Sequence, residues 1–170
     1  MDYRSPAAVA DVCRRLLGRE ERILDVGAGT GLLGAALVDL GFTSIDGLDL
    51  SPAMLAEAAS KGAYGELTEA RLGEGLPFER AAYDSVVSSG VMTTGHAPAS
   101  SFDELVRITR PSGHIVFTLR CDRTPPGFDA KIEELLHAGR WELVEKGGEF
   151  QAMRTRGPEV LVRVWAFRVR

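Results

Sequence analysis

The strongest constraint on how this chain can fold is a run of glycines set between an apolar strand-like segment and a helical one. Ile23, Leu24 and Val26 mark a short strand over 22–26. Asp25-Val26-Gly27-Ala28-Gly29-Thr30-Gly31 then leads into a helical pattern over 31–40, with Leu33, Ala36, Leu37 and Leu40 on its apolar face and Gly41 as the stop. Glycines reach backbone angles closed to other residues and let a ligand lie against the main chain. A helix start offers unpaired N–H donors. Asp25, at the strand end, supplies a carboxylate that can hold a cationic amine. Asp49 ends the next strand, and open α/β sheets bind ligands outside the carboxyl ends of their strands. A carboxylate there can accept hydrogen bonds from both hydroxyls of a ribose. Together these pieces fit an adenosine ligand with a cationic amino-acid end.

The rest of the chain alternates helical and strand-like segments, the order of an α/β fold with a mainly parallel sheet. Strands are expected over 22–26, 45–50, 64–71, 83–88, 114–119, 141–145 and 160–169, seven in all. Helix starts are read at Ser5-Pro6 and Ser51-Pro52, a capping hydroxyl followed by proline. Ser101 and Glu104 read as a capping box for a helix that ends before Pro111. Phe128, Ile132, Leu135 and Leu136 mark a further helix closed by Gly139. The last two strands are joined without a crossover helix, so they pair antiparallel, and one antiparallel strand is expected at the end of the sheet.

A second match competes for the glycines. Gly29-Thr30-Gly31-Leu32-Leu33-Gly34 satisfies a dinucleotide fingerprint, the basis of an alternative reading as an NAD(P)-binding oxidoreductase. Its first glycine falls late, because Gly27 already follows the strand. In the register that starts at Gly27, the third glycine position holds Leu32. The Asp25 carboxylate would also face a pyrophosphate poorly.

Four segments together resemble class I S-adenosylmethionine-dependent methyltransferases: the one beginning Ile23-Leu24-Asp25-Val26-Gly27, then Gly47-Leu48-Asp49-Leu50-Ser51-Pro52, Tyr83-Asp84-Ser85-Val86-Val87 and Arg110-Pro111-Ser112-Gly113-His114. Tyr3-Arg4-Ser5-Pro6, Leu72-Gly73 and Gly139-Arg140-Trp141-Glu142 make the chain most similar to the methyltransferase-like proteins named for the Williams–Beuren syndrome chromosome region. The resemblance implies a Rossmann-like three-layer sandwich whose mainly parallel seven-stranded sheet carries an antiparallel terminal strand. It implies a single methyltransferase domain over 1–170 that lacks the N-terminal lid of its relatives, and S-adenosyl-L-methionine as cofactor with S-adenosyl-L-homocysteine as product. By position, Gly27, Ala28, Gly29 and Gly31 would line the methionine and ribose part, and Asp25 would hold the amino group. Asp49 would bind the ribose hydroxyls, while Leu50, Met54 and Leu72 would border the adenine. Ser88 and Ser89 would sit beside the methyl group. Leu72 stands where many members have an aspartate, and Ser112 replaces a common glycine in a turn. Without the lid, the alternative is a cofactor-binding domain that performs no turnover.

Methyl transfer asks mainly that nucleophile and donor be positioned. His96 follows the fourth strand and is the weak candidate for a general base, against an ordinary exposed loop histidine. His114 and His137 read as structural, Trp141, Trp165 and Phe167 as core, and Asp84 as a turn residue. The loop 91–100 and the segment 120–128 are expected to shape the acceptor pocket, for a small molecule or a protein side chain. A net charge of -4 gives no electrostatic reason for a nucleic-acid partner, and none is expected. Arg154, Arg156, Arg163, Arg168 and Arg170 gather near the end and read as a solvated face. Cys13 and Cys121 form no metal or redox pattern and suit a cytoplasmic protein. No apolar run spans a bilayer, no signal-peptide pattern opens the chain, and no metal site is expected.

Overall fold

A computed structural model describes residues 3–93, 95–153 and 159–170. The elements run α1 (Ser5–Leu16), β1 (Arg22–Val26), α2 (Leu32–Asp39), β2 (Ser44–Asp49), α3 (Pro52–Ser60), β3 (Leu67–Glu69), β4 (Ser85–Ser88), α4 (Ser101–Ile108), β5 (His114–Arg120), α5 (Phe128–His137), β6 (Trp141–Lys146), β7 (Phe150–Gln151) and β8 (Leu161–Val169). The sheet order is β3-β2-β1-β4-β5-β8-β6, with the two-residue β7 paired to β8. Strands β3, β2, β1, β4 and β5 are parallel, and β8 is antiparallel to both β5 and β6.

The three layers follow from burial on both sheet faces. Parallel strands covered by helices on each side read as nearly continuous apolar runs, and in β1 only Arg22 is exposed. Successive side chains point to opposite faces. Ile23 joins one apolar cluster with Val9 and Cys13 of α1 and Leu33 and Leu37 of α2. Leu24 joins the other, with Phe102 of α4 and Phe128 of α5. The rings of Phe102, Phe117, Trp141 and Phe167 meet within that second cluster at centroid distances of 4.0 to 5.9 Å.

The chain's last strand is antiparallel, but it does not form the sheet's edge. Strand β6 crosses over through α5, and β8 then fills the space between β5 and β6. Burial records this difference. Val162, Val164, Ala166, Phe167 and Val169 of β8 are buried, whereas Leu143 and Val144 of β6 are 45% and 42% exposed. The edge strand also carries a register shift between Leu143 and Glu145, a device that discourages further pairing.

Two expected helix caps are replaced. Ser5 lies inside α1 behind an N-cap Arg4, and Pro6 is its second residue. Ser101 lies inside α4 behind Ser100. Both hydroxyls are buried without a partner among the described residues. At α4 the first amides are already taken, since Ser101, Phe102 and Asp103 donate to the carbonyls of Pro98, Ala99 and Ser100. Glu104 accepts instead from the Leu76 amide at 3.0 Å and pairs with Arg107 at 2.9 Å. Ser51 does cap α3, accepting from the Met54 amide at 3.3 Å.

The order reverses at β1: the chain winds outward through β2 and β3, then returns to place β4 on the other side. A crevice opens at such a reversal, at the carboxyl ends of β1 and β4.

Candidate functional site

The loop after β1 is built for that crevice. Gly27, Gly29 and Gly31 have φ of 72°, 54° and 84°, a left-handed backbone that favours glycine. The Gly27 and Ala28 amides both donate to the Leu48 carbonyl of β2, at 2.8 and 2.9 Å. The Gly29 amide donates to Asp49 Oδ2 at 2.8 Å, and the Ser51 amide to Asp49 Oδ1 at 2.9 Å. The loop is thus suspended from β2, and one carboxylate holds both the glycine turn and the start of α3. Several donors expected to be free therefore serve the loop itself.

Asp25 is 1% exposed. Its Oδ2 accepts a 2.7 Å hydrogen bond from the Tyr64 hydroxyl, while its Oδ1 is buried with no partner among the described residues. Burial pushes its carboxyl up to about 7, the Tyr64 hydrogen bond acting in the opposite direction. Asp25 lines a small cavity of about 90 Å³ with Gly27, Ala28, Gly29, Thr30 and Ser89. A buried carboxylate oxygen without a donor costs free energy, and a cationic amino group in that cavity would supply the missing partner. On the other side of Gly27, a second cavity of about 70 Å³ is bordered by Leu48, Asp49, Leu50, Ala70 and Leu72. Its walls are chiefly apolar, with Asp49 among them and Gly27 shared by the two cavities. These carboxylate acceptors and apolar walls fit an adenosyl group with an amino-acid end.

Tyr64, which sequence reasoning passed over, explains the competing glycine match. Its hydroxyl accepts from the Gly34 amide at 3.2 Å while donating to Asp25. A Cβ on Gly34 would lie 2.3 Å from Tyr64, one on Gly47 3.0 Å and one on Gly31 3.2 Å. Gly34 thus makes room for a tyrosine, not for a pyrophosphate. Nothing in the sequence placed Tyr64 beside these glycines, because the contact joins segments distant in the chain.

The other expected site residues divide. Ala28, Leu50, Leu72 and Ser89 border the two cavities, and Ser89 Oγ is buried and without a partner among the described residues. Met54 is 43% exposed and borders neither cavity. Ser88 is a correction: its hydroxyl is buried and donates to the Val26 carbonyl at 2.8 Å, because strand alternation turns it into the sheet and leaves the following serine to face the cavity. His96 is exposed, contacts Thr93 Oγ1 through Nδ1 at 3.1 Å, and borders the Leu72 cavity.

The remaining candidates are structural. Asp84 accepts from the Arg22 amide at 2.7 Å and pairs with Arg110 at 2.7 Å. His137 contacts the Glu133 carbonyl at the end of α5, and burial lowers the pKa of the half-buried His114. Trp141 and Phe167 are core, while Trp165 is partly exposed beneath the Lys146 ammonium. Arg163 pairs with Glu149 at 2.5 Å, and Arg168 and Arg170 both pair with Glu142. Arg154 and Arg156 lie outside the described residues. Among the described residues, no group of carboxylates, histidines and cysteines could hold a metal ion, and no helix is long and apolar enough to cross a membrane.

Comparison with known proteins agrees with this geometry. A family profile described as a methyltransferase domain matches residues 24–117. The chain is 34% identical over 148 residues to human methyltransferase-like protein 27, covering 82% of this chain and 60% of that protein. It is 37% identical over 89 residues to the 18S rRNA (guanine(1575)-N(7))-methyltransferase of Saccharomyces cerevisiae, covering 52% of this chain and 32% of that protein. The chain therefore spans less than two thirds of either relative. Among solved structures, the magnesium protoporphyrin IX methyltransferase of Synechocystis with bound S-adenosylmethionine superposes with a TM-score of 0.72 at 19% identity, covering 97% of this chain and 79% of that one. The relatedness to 18S rRNA methyltransferases overturns the expectation that no nucleic acid is involved. Net charge misled there because it sums the whole chain, whereas a nucleic-acid contact depends on the local surface.

Proposed function

The chain belongs to the class I S-adenosylmethionine-dependent methyltransferase family, and on that premise we propose that its crevice binds S-adenosylmethionine and directs methyl transfer to a small molecule or a protein side chain. The observation that carries this reading is the Oδ1 of Asp25, buried beside the glycine loop without a partner among the described residues, with Asp49 at the end of the adjoining strand. Asp25 would accept from the amino group. Asp49, already oriented by two amides, would offer its remaining lone pairs to the ribose hydroxyls. Leu50 and Leu72 would border the adenine. Gly27, Ala28 and Gly29 would lie against the ligand, whereas Gly31 borders neither cavity and gives its room to Ala58 and Tyr64; Ser89 would face the reacting end. When bound, the sulfonium supplies an already activated methyl group, so the chain's own work is orientation and exclusion of water. His96 stands where an acceptor proton could be taken up, for acceptors that must lose one. The two cysteines are free thiols, which supports a cytoplasmic location.

Calorimetric titration with S-adenosylhomocysteine tests the reading. Binding is expected, and Asp49→Ala should weaken it by about 1–3 kcal/mol through loss of charge-assisted hydrogen bonds. Absence of binding at millimolar ligand, or an unchanged affinity in the variant, would remove the proposed site.

A further inference from the structure

Next to the glycine-loop crevice lies a larger cavity of about 570 Å³ that the cofactor reading leaves unused. Its size falls in the usual range of small-molecule sites. The chain brings distant segments together to form it: Thr93 and His96 after β4, Arg120 and Arg123 at and after β5, and Met153, Val160 and Val162 around the start of β8. Tyr3 is the wall shared with the Asp25 cavity, and His96 is the wall shared with the Leu72 cavity. Tyr3 is held there by its bridge to Met153 and by Gly90, where a Cβ would lie 2.1 Å from the tyrosine hydroxyl.

The chemistry of the walls is one-sided. The described lining residues include two guanidinium groups and no carboxylate. Arg120 is paired with Asp122 just outside the lining, at 3.1 Å through Nε. Arg123 is exposed and has no ion pair among the described residues. Ala152, Met153, Val160 and Val162 supply an apolar surface beside these cations. A guanidinium offers a planar fork of donors suited to carboxylate or phosphate.

Resting on the methyl-transfer reading, we propose that this cavity is the acceptor site, and that it takes a small acceptor with an apolar body and an anionic group, carboxylate or phosphate, held by Arg123 with help from Arg120. Tyr3 and His96 then stand between the anchored acceptor and the methyl donor.

The test uses phenylacetate and phenyl phosphate as anionic probes, with phenylacetamide and benzylamine as neutral and cationic matches. Binding is followed by ligand-observed NMR on the full chain saturated with S-adenosylhomocysteine. At least one anion should bind about tenfold or more tightly than the amide, and which one does so distinguishes carboxylate from phosphate. Arg123→Gln, alone and with Arg120→Gln, should bring that preference down to the level of the amide. Affinity for S-adenosylhomocysteine should stay within about twofold. Equal binding of amide or amine, a preference that survives both substitutions, or no binding of any probe overturns the inference. Binding of a single-stranded RNA oligonucleotide with no binding of either anion does so as well. If S-adenosylhomocysteine itself does not bind the unaltered chain, the methyl-transfer reading fails; if it binds and no anion preference appears, only the acceptor inference fails.

Discussion

Asp25 combines two demands that pull in opposite directions. Its burial raises the carboxyl to about 7, so the free protein holds it protonated more readily than the unfolded chain does. That contribution to stability is present at low pH and is lost as pH rises through about 7. Cofactor binding has the opposite sign, because only the carboxylate can pair with an ammonium group. Affinity for S-adenosylhomocysteine, measured by calorimetry, should therefore fall by up to about tenfold between pH ~8 and pH ~6, and Asp25→Asn should flatten that profile. Tyr64 couples this carboxyl to Gly34. Gly34→Ala should cost about 1–3 kcal/mol in denaturant unfolding, because its methyl overlaps the tyrosine ring. In a Tyr64→Ala background the same change should cost nothing, or stabilise by up to about 1 kcal/mol, since alanine is the better helix former. Additive costs would show that the ring is not what requires the glycine.

At the scale of elements, local signals succeeded where local physics decides the outcome. The boundaries of β1, the Ser51 cap and the glycine stops after α2 and α5 were all legible in neighbouring residues. The Ser5 and Ser101 caps were not: the first amides of α4 bond the carbonyls of Pro98, Ala99 and Ser100, and both serine hydroxyls are buried without a partner among the described residues. Ser112 was legible as a serine where a turn commonly has glycine. It adopts φ 66° in the turn before β5, where its amide donates to the Val169 carbonyl at 2.8 Å. A left-handed non-glycine residue costs about 1–2 kcal/mol, partly offset by the lower unfolded-state entropy of serine. Ser112→Gly should therefore stabilise the chain by about 0.5–1 kcal/mol, read as a raised Tm. A lowered Tm would mean that the serine side chain contributes more than its backbone costs.

At the scale of the whole molecule, the sequence by itself determined the α/β class, the alternation of elements, the glycine loop and the two acidic strand ends, Asp25 and Asp49. Hydrophobic period, turn residues and spacing are local properties, and each can be read within a few residues. Only the tertiary structure decided that β8 enters between β5 and β6, that Ser88 turns inward while Ser89 faces the cavity, and that Tyr64 fills the space left by Gly31, Gly34 and Gly47. It alone brought Tyr3, His96, Arg120, Arg123 and Met153 around one cavity. Those outcomes depend on which distant segments share a face or a wall, a property set by packing across the sheet and not by any residue's neighbours in the chain.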